Sequence, residues 1–131
     1  MTREHLDADQ QARIVEIALD LAREGRTDEL VEFLDHGLPV DVTGPNGDTA
    51  LMLAAYHGHA GLVRTLIDRG ANLNALNARG QSIIAGAIFK GENEIVRALV
   101  AAGADLDAGT PSARETAAIF GRAELLARGA G

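Results

Sequence analysis

Residues 46–59 read Asn-Gly-Asp-Thr-Ala-Leu-Met-Leu-Ala-Ala-Tyr-His-Gly-His, and residues 70–74 continue as Gly-Ala-Asn-Leu-Asn. Moved forward by 33 positions the pattern returns: Gly47, Gly58 and Gly70 become Gly80, Gly91 and Gly103. Thr49 becomes Ser82, Leu51 becomes Ile84, Ala54 becomes Ala87 and Leu66 becomes Leu99. The run Ala71-Asn72-Leu73-Asn74 becomes Ala104-Asp105-Leu106-Asp107, and a backward step carries Gly58 and Gly70 onto Gly25 and Gly37. Three glycine pairs with the same internal spacing identify an internal repeat, in which each unit is one supersecondary element that hides its apolar face against the next.

The residues just quoted resemble the ankyrin repeat. That family's pattern runs Gly-x-Thr-Pro-Leu-His-x-Ala-Ala-x-x-Gly-His, then an apolar helix, then Gly-Ala-Asp-x-Asn. Residues 44–76 follow it closely, with Ala50 and Met52 standing where proline and histidine are usual. The likeness covers about residues 14–129 and weakens toward both ends. It implies an all-α solenoid of stacked helix-turn-helix units joined by short β-hairpin-like finger loops. On this reading residues 1–131 are one ankyrin-repeat domain, with repeats at approximately 10–43, 44–76, 77–109 and 110–131.

Composition narrows the function classes. At 131 residues the chain has the size of one domain, and its 47% apolar content is drawn mainly from Ala, Leu, Ile and Val, with only 3% aromatic. There is no cysteine, which excludes disulfides and thiolate metal sites. The first residues, Met-Thr-Arg-Glu-His-Leu-Asp, lack the basic and apolar regions of a secretory signal, and no run reaches the ~18 apolar residues of a membrane span. The expectation is a soluble, cytoplasmic monomer. The net charge of −7 is uneven: residues 1–48 carry twelve acids against four arginines, and residues 49–131 carry seven acids and eight bases. An acidic face repels a phosphate backbone, so no nucleic-acid partner is expected. The acidic half either solubilises one end of the stack or steers a basic partner.

In chain order, Ile14, Ile17, Ala18, Leu21 and Ala22 recur at helical spacing behind a cap at Asp7 or Asp9, and Gly25 closes this helix. Leu30, Val31, Phe33 and Leu34 supply the stripe of a second helix ending at His36-Gly37, with Phe33 assigned to the core. Pro39, Pro45 and Asn46-Gly47 break the chain into a turn before Thr49 caps the next helix. Leu51, Leu53, Ala54 and Ala55, then Leu62, Val63, Leu66 and Ile67, form the buried faces of the second unit. In the third unit Ile83 replaces the usual proline and Gly86 stands where the second has Leu53. That glycine serves either a close helix–helix contact that no other residue permits or a local opening used in binding. The spacing from Asp107 to Ser112 is three residues shorter than from Asn74 to Ser82, so Gly109-Thr110-Pro111 is a truncated turn without a full finger. Residues 112–129 close the stack with a brief outer helix, its end faced by polar residues that include Arg114, Glu124 and Arg128.

No catalytic constellation emerges. Ser82 and Ser112, the only serines, fall at helix caps rather than beside a base, and no nucleotide-binding glycine fingerprint is present. His57 and His59 flank a helix-ending glycine with no further ligands close in sequence, so no metal and no cofactor are expected. The expectation is a non-catalytic chain.

The ankyrin likeness does place one constellation together. In that architecture the two residues before the helix-ending glycine face a concave groove; here they are Arg23 and Glu24, Tyr56 and His57, Phe89 and Lys90, and Ile119 and Phe120. Three of the four aromatic residues lie on this row, where they either anchor a partner or pack under the fingers as groove floor. The finger positions Pro45, Asn46 and Asp48, then Ala78, Arg79 and Gln81, would complete the groove. Aromatic and arginine side chains dominate interface hot spots. The function expected is binding of a protein partner through Pro45, Asn46, Asp48, Tyr56, His57, Arg79, Gln81, Phe89, Lys90 and Phe120. Against it stands an acidic inhibitor or immunity-type protein that blocks a basic enzyme through its N-terminal face, at Asp28, Glu29 and Glu32. A small enzyme or metabolite-binding protein with a pocket opened at Gly86 is a third, weaker class.

Overall fold

The computed structural model describes residues 7–127, all of them in helices, turns and loops. Seven α-helices and a final 3-10 turn pair as consecutive hairpins: α1 (Ala8–Glu24) with α2 (Thr27–Asp35), α3 (Ala50–Tyr56) with α4 (Ala60–Asp68), α5 (Ile83–Lys90) with α6 (Asn93–Ala101), and α7 (Ala113–Ile119) with the turn Ala123–Leu126. The inner helices stack in the order α1, α3, α5, α7, and the outer helices run behind them.

Local chemistry starts and stops each inner helix in the same way. The Asp7 carboxylate accepts from the Gln10 backbone at 2.7 Å and the Gln10 side chain accepts from the Asp7 backbone. The hydroxyls of Thr49, Ser82 and Ser112 accept from the backbone N–H three residues on, at 3.1–3.2 Å. Each cap satisfies a donor that the helix itself leaves orphaned. At the other end Gly25, Gly58, Gly91 and Gly121 all adopt positive φ. The residue after each glycine donates five positions back, as Arg26 to Leu21, His59 to Ala54, Glu92 to Ala87 and Arg122 to Ala117, at 2.7–2.9 Å. This is the hydrogen-bond pattern that closes a helix on a left-handed residue. The outer helix then begins at once.

The core is a continuous seam between hairpins. Ala22, Ala54, Ala87 and Ala117 are all completely buried, as are Val63, Leu66, Val96 and Leu99 on the outer helices. Small inner residues let the helices approach closely, and the larger aliphatics fill the space behind them. Side chains in the connecting loops tie one unit to the next. Asp41 accepts from the Asn72 backbone at 2.9 Å and, in the next unit, Asn74 accepts from the Asp105 backbone at 2.7 Å.

Four details differ from the sequence reading. Ile17 is 47% exposed and Phe33 only partly buried, although Leu66 and Leu99, which share Phe33's place in the repeat, are sealed. Both lie in the first hairpin, and among the described residues no preceding unit covers it. Leu19 takes a core place the reading left out. The outer element of the last unit is a single 3-10 turn rather than an α-helix. The fingers at residues 43–49 and 76–82 each hold one isolated antiparallel bridge, Thr43 with Thr49 and Leu76 with Ser82, short of a ladder. As expected for the truncated third junction, no such bridge forms there among the described residues; Thr110 instead donates to the Gly80 carbonyl of the second finger at 3.0 Å. Arg128, expected on the solvent-facing end, lies outside the described residues.

Candidate functional site

A concave groove of about 850 Å³ runs across the inner helices and under the two fingers. Asn46 and Asp48 of the first finger, Arg79 and Gln81 of the second, and Tyr56, His57, Phe89 and Phe120 from the helix ends all line it. Eight of the ten residues singled out by sequence therefore share one surface. Pro45 sits exposed on the first finger, outside that lining. Lys90 stands at the rim with its ammonium 4.8 Å from the centroid of the Tyr56 ring, a cation–π geometry.

The aromatic row is open to solvent. Tyr56 is 44% exposed, Phe89 64%, Ile119 73% and Phe120 46%. The rings of Phe89 and Phe120 meet edge-to-face with centroids 5.9 Å apart, and Tyr56 meets His57 in the same way at 5.5 Å. Such pairs hold their members in preferred orientations. The rings touch one another and remain uncovered.

Apart from Gly86, for which a local opening was one of the two readings, the groove floor was not anticipated. Leu53, Ala85, Gly86 and Thr116 line it together with Pro111. The signal was available: these helical residues lie three or four positions before Tyr56, Phe89 and Phe120, the spacing that shares one helix face. Gly86 is not a forced helix–helix contact. A Cβ built there would meet only the Tyr56 ring, at 3.9 Å, an ordinary van der Waals distance. The residue leaves a notch in the floor where the preceding unit has Leu53.

Charges around the row are mixed. Asp48 is the carboxylate in the groove lining, against Arg79 in the lining and Lys90 at the rim. Arg23 is paired with Asp20, and Glu24 lies 3.6 Å from Arg26. His57 is pushed below the ordinary histidine range, first by burial and then by the positive charges of His59, Arg23 and Lys90. Its neighbour His59 has a packing role: its Nε2 donates to the Arg23 carbonyl at 2.6 Å, and its ring lies against Gly25. That ring nitrogen, holding a proton, has no lone pair for a metal.

A second concavity, about 570 Å³, opens on the far side of the first hairpin. Ile14, Val15, Phe33, Leu38 and Val42 line it, with Glu32 and His36 at its edge. Asp28 and Glu29 of the acidic face lie in the first turn of α2, and Arg26 pairs with Glu29 at 2.7 Å. No helix among the described residues is long and apolar enough to cross a membrane.

These features have counterparts in known proteins. The family model for ankyrin repeats in three copies matches residues 18–110. An ankyrin repeat protein of Pseudomonas aeruginosa is 44% identical over 62 residues, which are 47% of this chain and 36% of the relative's length. The alignment thus spans about a third of that relative. With the family model matching most of its length and the stacked hairpins in place, this chain belongs to the ankyrin repeat family.

Proposed function

We propose that this protein is a non-catalytic binding module that holds a protein partner in its concave groove, with the finger loops completing the contact. Ankyrin repeats generally mediate protein–protein interaction, and the carrying observation here is the solvent-exposed row Tyr56, Phe89, Phe120. A chain with four aromatic residues that needed them for stability would bury them. The stacked helices preorganise the row, so little conformational freedom is lost on docking.

Tyr56→Ala combined with Phe89→Ala tests the reading. Capture of the partner from native cell extract should be lost, while the melting temperature moves little. Unfolding of the double variant would show that the rings belong to the core. The rival reading is an acidic inhibitor acting through its N-terminal face, supported by the apolar concavity beside Glu32. It predicts the reverse pattern: capture survives the double alanine change, falls steeply with salt, and is lost on charge reversal at Asp28, Glu29 and Glu32.

A further inference from the structure

Leu53 and Gly86 occupy the same place in successive units, 33 residues apart, and both line the groove. At the first the floor is filled; at the second it is bare, with Tyr56 on one side and Phe89 three residues on along α5. The space above Gly86 is therefore a notch bordered by the Tyr56 ring, with Phe89 in the same groove lining. Its rim is cationic. Lys90 lies over the Tyr56 ring and Arg79 projects from the second finger; neither belongs to any of the ion pairs formed among the described residues. Asp48, on the first finger, is the carboxylate of the groove lining and lies with the preceding unit. The rim beside Gly86 thus offers two cations, unpaired among the described residues, in a chain whose overall charge is −7.

Resting on the groove reading above, we infer that the partner presents an acidic segment whose apolar side chain seats over Gly86 between Tyr56 and Phe89, with carboxylates directed to Lys90 and Arg79. The apolar anchor supplies affinity in the desolvated notch. Carboxylates at the rim, in high dielectric, supply orientation and rate of encounter. A basic segment would meet Lys90 and Arg79 with like charge and is selected against.

The test uses random twelve-residue peptides displayed on phage and panned on the full chain at low salt. Selected peptides should be enriched in Asp or Glu next to a Leu or aromatic residue. Their synthetic copies should lose at least about 30-fold in affinity on Tyr56→Ala with Phe89→Ala. Gly86→Leu copies the residue of the preceding unit, so it should fold and yet abolish binding by filling the notch. Lys90→Glu with Arg79→Glu should weaken binding about tenfold at low salt and much less at 1 M, where the screening length shrinks to about 3 Å. If binders depend on Tyr56 and Phe89 but are neutral or basic, or tolerate Gly86→Leu or the charge reversal, this inference fails and the groove reading stands. Binders that ignore the aromatic pair, or no binders at all, would overturn both.

Discussion

The same helices carry two faces with different rules. Along the seam between units, Leu51 and Ala54 of α3 are as fully buried as Ile84 and Ala87 of α5, 33 residues on, and these residues correspond in kind. Along the concave row the corresponding residues change: Tyr56 to Phe89, His57 to Lys90, Leu53 to Gly86. Stacking fixes what lies between two helices, because any residue there must fit both neighbours. It places no such demand on the row, where one side of each residue meets solvent. The two faces should therefore separate by experiment, the seam reporting in stability and the row in binding.

The seam should show the largest effect. Leu66 and Leu99 are wholly buried between outer helices. Leu66→Ala removes a side chain and leaves a cavity, for an expected loss of about 2–5 kcal/mol by chemical denaturation. Phe33, in the same place on the first hairpin, is only partly buried and should cost less on Phe33→Ala because some of its surface already meets water. Equal losses at Leu66 and Phe33 would mean that the first unit is sealed like the others and would remove the distinction between inner and end units.

Two glycines divide the faces more finely. Gly25, at φ 71°, lies under the His59 ring, and a Cβ there would approach His59 Cγ to 2.7 Å. Gly25→Ala forces both a left-handed alanine and the displacement of a ring that holds the Arg23 carbonyl, so a loss of about 1–3 kcal/mol is expected. Gly86 has neither constraint. Gly86→Ala should raise stability by up to about 1 kcal/mol through helix propensity alone. A melting temperature that falls on Gly86→Ala would assign that glycine to the seam after all.

How far the fold could be read follows the same division. The repeat, its helix caps at Thr49, Ser82 and Ser112, and its closing glycines are legible because stacking repeats them in the sequence. What escaped lies in the first and last units, which have a neighbour on one side only among the described residues. Ile17 corresponds to Ala50 and Ile83, both buried in the inner units, yet stands in solvent because no finger precedes α1 among the described residues. The last outer element is a 3-10 turn that presents Leu125 and Leu126 inward, and among the described residues no further unit rests on it. In the groove, the aromatic row was readable from its distance to each glycine. The floor at Leu53, Ala85 and Gly86 required the helix period to be carried back one turn. Pro45 could not be placed, since the direction of a turn residue is set by the hydrogen bonds of that turn, here Gly47 to the Gly44 carbonyl and Gly44 to the Asp48 carbonyl.

The smallest expected effect concerns His57, where the row's charge becomes measurable without a partner. Burial and the surrounding positive charges of His59, Arg23 on α1 and Lys90 on α5 depress its basicity in the folded chain. The unfolded chain therefore binds a proton there more readily, at the ordinary value near 6.5. Folding stability contributed by a neutral His57 is present above that pH and is lost as the pH falls toward the depressed value. Thermal melts of wild type and His57→Gln between pH 7.5 and 5.5 should converge or cross, the wild type losing more; parallel curves would remove the positive field from the description of the groove. The ring is exposed, so the difference will be small, and 1 M salt should remove the part due to charge while leaving the part due to burial. An acidic occupant would reverse the trend for binding, because its carboxylates offset the surrounding positive charges and favour the protonated ring. A free chain that weakens as pH falls, together with a complex that tightens, would be difficult to obtain from a row of residues selected only for packing.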